Sequence, residues 1–210
     1  MPARLIEALS TTEPLAEIFS DGSVLQAMLE FEVALAKVEA HAGVIPQSAA
    51  RAIAAAARVQ DFEIAALSRN NLRAGTPGIP LVKALTEVVR RKDATAAGFV
   101  HWGATSQDVA DTALVLLLKH ARPILVKDLA TLTAALRRLS ERHKNTIMLG
   151  RTLLQAASPI TFGLKVSGWL SAIERSRSKL EEAFANAMVL QFGGATGTLA
   201  ALGRQGPAVA

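Results

Sequence analysis

The sequence predicts an all-α protein: a small N-terminal helical domain over residues 1–110, followed by part of a long-helix bundle over residues 111–210. Three observations carry that prediction. Half of the 210 residues are hydrophobic while only 4% are aromatic, an Ala/Leu-rich balance suited to packed helices. Apolar residues recur at spacings of three and four along several stretches. No stretch sustains the alternation of β-branched and polar residues that a half-buried strand requires, so no substantial sheet is expected.

Taken in order, Val24, Met28, Phe31, Leu35 and Val38 step by four and three and mark a first helix with a core stripe. "HAGVIPQSAA" then separates it from an alanine-rich helix beginning near Gln47. "RAGTPGIP", residues 73–80, reads as a Gly/Pro loop before the helix "LVKALTEVVRR". After Asp108 the helices lengthen. One spans about 109–140, with a second core stripe of Val126, Leu129, Leu132, Leu136 and Leu139, and Pro123 is expected to bend or interrupt it. Another is expected to start at Ser158-Pro159, a capping serine followed by a proline in the first turn, and to run through Val166, Leu170, Ile173, Leu180 and Phe184.

Several function classes fall away on composition. The chain has no cysteine, which excludes disulfides, zinc-thiolate sites and a thiol nucleophile and fits a reducing, cytoplasmic setting. The opening "MPARLIEALSTTEPLAE" has no apolar core of signal-peptide length. Residues 183–203 carry no charge, but Asn186, Gln191, Thr196 and the glycines Gly193, Gly194 and Gly197 interrupt them, so a buried helix end running into a loop is expected rather than a membrane span. The net charge of +5 invites a nucleic-acid reading. Its densest cluster, Arg137, Arg138, Arg142 and Lys144, lies near Asp128 and Glu141 with no aromatic residues to stack on bases, so no nucleic acid or membrane partner is expected. A mildly basic protein suits small anionic substrates. His41, His101, His120 and His143 are too scattered to suggest a metal site.

Three polar islands stand out from this background. In "HWGATSQDVADTA", residues 101–113, Thr105 to Asp108 match a capping box. A cap leaves His101, Trp102, Gly103, Ser106 and Gln107 unexplained. A helix start with added hydroxyl and amide donors is also a carboxylate site, and spacing alone leaves the two readings equal. In "GRTLLQAASPITFG", residues 150–163, Arg151 and Gln155 lie four apart beside Thr152, so one turn would present guanidinium, hydroxyl and amide together, or simply hold a surface arginine. In "QFGGATGTLAALG" the glycines end a helix or bring backbone N–H groups to a ligand, without the lysine of a phosphate loop.

Together with "IPLVKAL", these islands resemble the fumarase/aspartase superfamily, most closely its 3-carboxy-cis,cis-muconate cycloisomerase branch, over nearly the whole chain. The resemblance implies a bundle of the fumarase/aspartase type and a carboxylate pocket lined by His101, Thr105, Ser106 and Gln107, with Asp108 supporting the loop. His101, Thr105 and Ser106 would take part in catalysis, and Arg151, Thr152 and Gln155 would form a second substrate-binding strip. It further implies a small tricarboxylate substrate, no cofactor or metal, a cytoplasmic homotetramer with sites shared between subunits, and a place in protocatechuate (β-ketoadipate) breakdown of aromatic compounds. Two departures matter. Many lyases of the superfamily carry a proton-transferring histidine where this chain has Leu153. A lactone's leaving carboxylate, with a reference pKa of ~4, needs no proton donor, so Leu153 favours cycloisomerisation over adenylosuccinate or argininosuccinate cleavage. The superfamily's third motif, a flexible loop with the main catalytic base, is expected beyond residue 210, which makes the chain resemble an N-terminal half. Another superfamily lyase and a non-catalytic helical assembly module are the alternatives.

Overall fold

The computed structural model describes residues 9–210 and is helical apart from one small hairpin. Its contacts form two compact units. The first holds the described residues up to Lys119 together with Val189–Ala210. It contains α1 (Glu13–Ile18), α2 (Asp21–His41), α3 (Gln47–Ala56), α4 (Ile64–Ala74), α5 (Gly78–Arg90), the beginning of α6 (Ser106–Arg142) and the short C-terminal helix α8 (Gly206–Val209); α7 (Phe162–Ala187) belongs to the second unit.

Helix α2 starts where Ser20 Oγ accepts the Ser23 N–H at 3.2 Å; of its expected stripe Met28, Phe31 and Leu35 are buried, Val24 is half-buried and Val38 is exposed, while Leu25 and Leu29 join the core instead. Ile53 of α3, Leu81 and Leu85 of α5 and Val109 of α6 complete this core, which excludes water from several large aliphatic side chains at about 1.5–3 kcal/mol each. Helix α3 begins at Gln47, as the alanine-rich run suggests. Helix α5 begins at Gly78, inside the segment read as loop, because Pro80 fits a first helical turn where its missing N–H has no partner to lose.

The division of the chain differs from the one drawn at residues 110 and 111. Residues 189–210 fold back into the first unit, with Leu202 and Val209 in its core and the Phe192 ring edge-on to Phe31 at 6.5 Å.

The second unit, His120–Met188, contains the rest of α6, the antiparallel strands β1 (Ile147–Thr152) and β2 (Gln155–Thr161), and α7 (Phe162–Ala187). Three readings of the sequence change here. Ser158 and Pro159 lie in β2 rather than at a helix start, and α7 begins at Phe162 with Thr161 as its cap, its Oγ1 accepting the Leu164 N–H at 3.1 Å. Pro159 is tolerated because a two-stranded hairpin has only edges. The hairpin escaped periodicity because most of its residues are exposed on both faces, which leaves no burial pattern to read. Its register shifts between Leu149 and Arg151; a Cβ at Gly150 would stand 2.4 Å from the Ser158 carbonyl oxygen. Helix α6 continues for 37 residues without interruption at Pro123. Its stripe from Val126 to Leu139 is half-buried at best, and Leu132 is exposed. Among the described residues no helix is long and apolar enough to cross a membrane.

Candidate active site

The start of α6 is built around Asp108, which is 0% exposed. Its Oδ2 accepts the Thr105 N–H at 3.0 Å and the Gly194 N–H at 2.9 Å, and its Oδ1 accepts the Gly193 N–H at 3.1 Å. One turn later, Thr112 Oγ1 donates to the Gln191 carbonyl at 3.0 Å and accepts the Gln191 N–H at 3.3 Å. Residues 108 and 112 therefore share a helix face and grip residues 191–194 along it. The glycine motif supplies backbone N–H groups to a carboxylate of its own chain. Gly194 is required twice over: its φ is 68°, and a Cβ would meet the Gly103 carbonyl oxygen at 2.6 Å.

This geometry resolves the choice between cap and anion site in part. Asp108 performs its half of a capping box on the Thr105 N–H, but the Thr105 side chain makes no reciprocal bond, contrary to the cap reading. The hydroxyls of Thr105 and Ser106, both half-buried, have no hydrogen-bond partner among the described residues. They stand at the first turn of a 37-residue helix whose leading N–H groups have no carbonyl one turn back. Gln107 is exposed and its amide donates to Asp111 at 3.3 Å. Two hydroxyl donors at the positive end of a helix can receive a carboxylate.

His101 precedes this turn in a left-handed conformation, φ 60°, which costs a non-glycine residue about 1–2 kcal/mol. Its ring is 13% exposed, and Nδ1 lies 2.6 Å from Glu32 Oε1 on α2, a carboxylate only 1% exposed. Nε2 has no protein partner. Seven residues further along α2, Glu39 is wholly buried with neither oxygen hydrogen-bonded. Burial, with the neighbouring Glu32 adding repulsion, pushes the Glu39 carboxyl up to about 8. Sequence reasoning missed Glu32, Glu39 and Thr112. The signal was present: Glu32 lies four after Met28 and three before Leu35, on the core stripe itself.

The second motif belongs to the other unit. Leu153 and Leu154 form the hairpin's two-residue turn with φ values of 47° and 66°, and Thr152 pairs with Gln155 across it. Arg151 pairs with Ala156. The pleat thus places Thr152 and Gln155 on one face and Arg151 on the other, where a helical turn would have grouped all three. All three side chains are exposed.

A helical fold whose long helix opens on a hydroxyl-rich, carboxylate-tied turn defines the class: residues 7–209 match the lyase family model, and the chain belongs to that family. Within it, the chain is 47% identical over 207 residues to 3-carboxy-cis,cis-muconate cycloisomerase of Pseudomonas aeruginosa, covering 99% of this chain and 45% of that protein. It is 44% identical over 210 residues to the Pseudomonas putida enzyme of the same name, covering 100% and 50%. The crystal structure of 3-carboxy-cis,cis-muconate lactonizing enzyme from Pseudomonas putida superposes with a TM-score of 0.90 at 45% identity, covering 99% of this chain and 47% of that one. The chain spans about half the length of the curated relatives it matches.

Proposed function

We propose that the chain carries the carboxylate-binding part of a cycloisomerase that interconverts 3-carboxy-cis,cis-muconate and a carboxymuconolactone. The observation that carries this reading is the pair of unengaged hydroxyls, Thr105 and Ser106, at the start of α6 beside His101. In the lactonising direction a substrate carboxylate oxygen forms a C–O bond to one carbon of a double bond. The displaced electron pair moves toward the carbon beside another carboxylate, and that carbon then takes a proton. Apart from that proton, which leaves the lactone with one negative charge fewer than the open-chain carboxylate, no atom is lost or gained. Before protonation the second carboxylate carries extra negative charge, and fixed donors aimed at it lower the barrier. Thr105, Ser106 and the first-turn N–H groups fill that role, with Gln107 binding alongside and His101 set directly before that turn as a proton-transfer group. Asp108 holds the loop through its three N–H bonds rather than meeting substrate.

Leu153 supports lactone chemistry over amine or hydroxide release. It stands at the hairpin tip, 91% exposed, where a lyase would need a proton donor. Arg151, Thr152 and Gln155 supply further contacts to the tricarboxylate, in a cytoplasmic homotetramer whose subunits share sites.

The test is lactonisation by the full gene product that carries this chain, followed by loss of the diene's ultraviolet absorbance, with fumarate release measured in parallel. Thr105→Ala combined with Ser106→Ala should lower turnover on the order of a hundredfold or more. Because the Thr105 hydroxyl caps nothing, stability should fall by less than about 1 kcal/mol. Full turnover by the double variant, or fumarate in place of lactone, would sink the reading.

A further inference from the structure

The buried charge on α2 calls for an explanation that packing does not provide. Glu32 is inserted into a core stripe between Met28 and Leu35, where an apolar residue would avoid the desolvation of a carboxylate. Its Oε1 makes one hydrogen bond, to His101 Nδ1 at 2.6 Å, and its Oε2 has no partner. At the other end of that bond, His101 is held in a strained left-handed backbone conformation directly before the substrate-binding turn. A buried acid satisfied at one oxygen and a strained histidine with no other hydrogen-bond partner among the described residues form a poor stabilising device. They form a good orienting one.

We propose that Glu32 is a positioning residue that fixes the His101 ring and its tautomer. The carboxylate accepts a hydrogen from Nδ1, so in the neutral ring Nε2 is the bare nitrogen. Nε2 is then an acceptor or base toward ligand at the start of α6, beside the Thr105 and Ser106 hydroxyls. Without Glu32 the ring is free to turn and to carry its hydrogen on Nε2, which removes that acceptor. The catalytic consequence rests on the cycloisomerase reading, whereas the tautomer does not.

The experiment therefore has two arms. In the first, the chain is labelled with 15N-histidine and its imidazole nitrogens are read by long-range 1H–15N correlation at a pH where the ring is neutral, the His101 signals being assigned from their absence in His101→Gln. The expected spectrum has hydrogen on Nδ1 and a bare Nε2. Glu32→Leu, which removes the acceptor, should shift the ring toward the Nε2–H form, while Glu39→Gln, which removes the other buried carboxyl of the same helix, should leave it unchanged. An Nε2–H tautomer in the unaltered chain overturns the proposal, and that measurement stands even if Glu32→Leu fails to fold. A tautomer indifferent to Glu32→Leu in a folded variant overturns it as well.

In the second arm, the full gene product is assayed for lactonisation. Glu32→Leu should lower kcat about tenfold to a hundredfold, a share of what a well-placed proton-transfer group contributes, with a smaller change in KM. An unchanged kcat in a folded variant with a shifted tautomer overturns the catalytic part. Absence of any lactonisation by the unaltered enzyme would instead count against the cycloisomerase reading and leave the tautomer result to decide the role of Glu32.

Discussion

Two carboxylates seven residues apart on α2 behave differently because one has a partner and the other has none. Glu32 meets His101, and Glu39 meets nothing that donates. With the Glu39 carboxyl raised from 4.5 to about 8, the folded chain keeps a proton that the unfolded chain gives up. Stability should therefore fall as pH rises through that window, with a slope near 1.4 kcal/mol per pH unit for one proton. Urea denaturation at pH 5 and pH 8 measures it, and Glu39→Gln should flatten the difference and be the more stable form at pH 8. Equal stability of the unaltered chain at both values would show that Glu39 ionises freely. Asp108 is the opposite case, a buried acid with three backbone N–H donors. Asp108→Ala leaves those donors unpaired and should cost about 3 kcal/mol or more, with faster amide hydrogen exchange at Gly193 and Gly194. Slow exchange there in the variant would mean that the loop is held by something else.

At the scale of elements, the hairpin is the least economical piece of the structure. Two leucines, 91% and 93% exposed, occupy left-handed positions in its turn. Such turns favour Asn-Gly, and each left-handed leucine carries about 1–2 kcal/mol of strain. Replacing Leu153 by Asn and Leu154 by Gly should therefore stabilise the chain by about 1–2 kcal/mol, read as a rise in Tm. A fall in Tm would show that the leucines are covered by apolar contacts in solution. The same element explains why the helical reading of Arg151 and Gln155 failed. A spacing of four unites side chains on a helix, whereas across this turn it sets them on opposite faces.

For the molecule as a whole, large apolar side chains stay exposed in both units: Leu72, Leu114, Val189 and Leu190 in the first, and Leu132, Ile147, Leu164 and Trp169 in the second. Exposed stripes of this kind drive association. The 210-residue chain on its own should be helical and self-associated, which light scattering after size exclusion checks; a monodisperse 22.1 kDa monomer would contradict it. It should also turn over no substrate, since it spans about half the length of the relatives it matches and the main catalytic base is expected outside it. Turnover near a typical enzyme's ~10 per second would place the base within these residues.

The sequence by itself determined the helical class, the inward Met28, Phe31 and Leu35 of α2, the start of α3 and the polar island at the head of α6, because each is written as local periodicity or local turn chemistry that neighbours a few residues apart decide. Asp108 was legible as a residue reaching back to Thr105 for the same reason. Only the tertiary structure decided that Asp108 also holds Gly193 and Gly194, that Glu32 grips His101 across 69 positions, and that residues 189–210 return to the first unit. Those outcomes depend on which segments meet in space and on which polar groups burial leaves in need of a partner, and spacing along a chain carries no record of either.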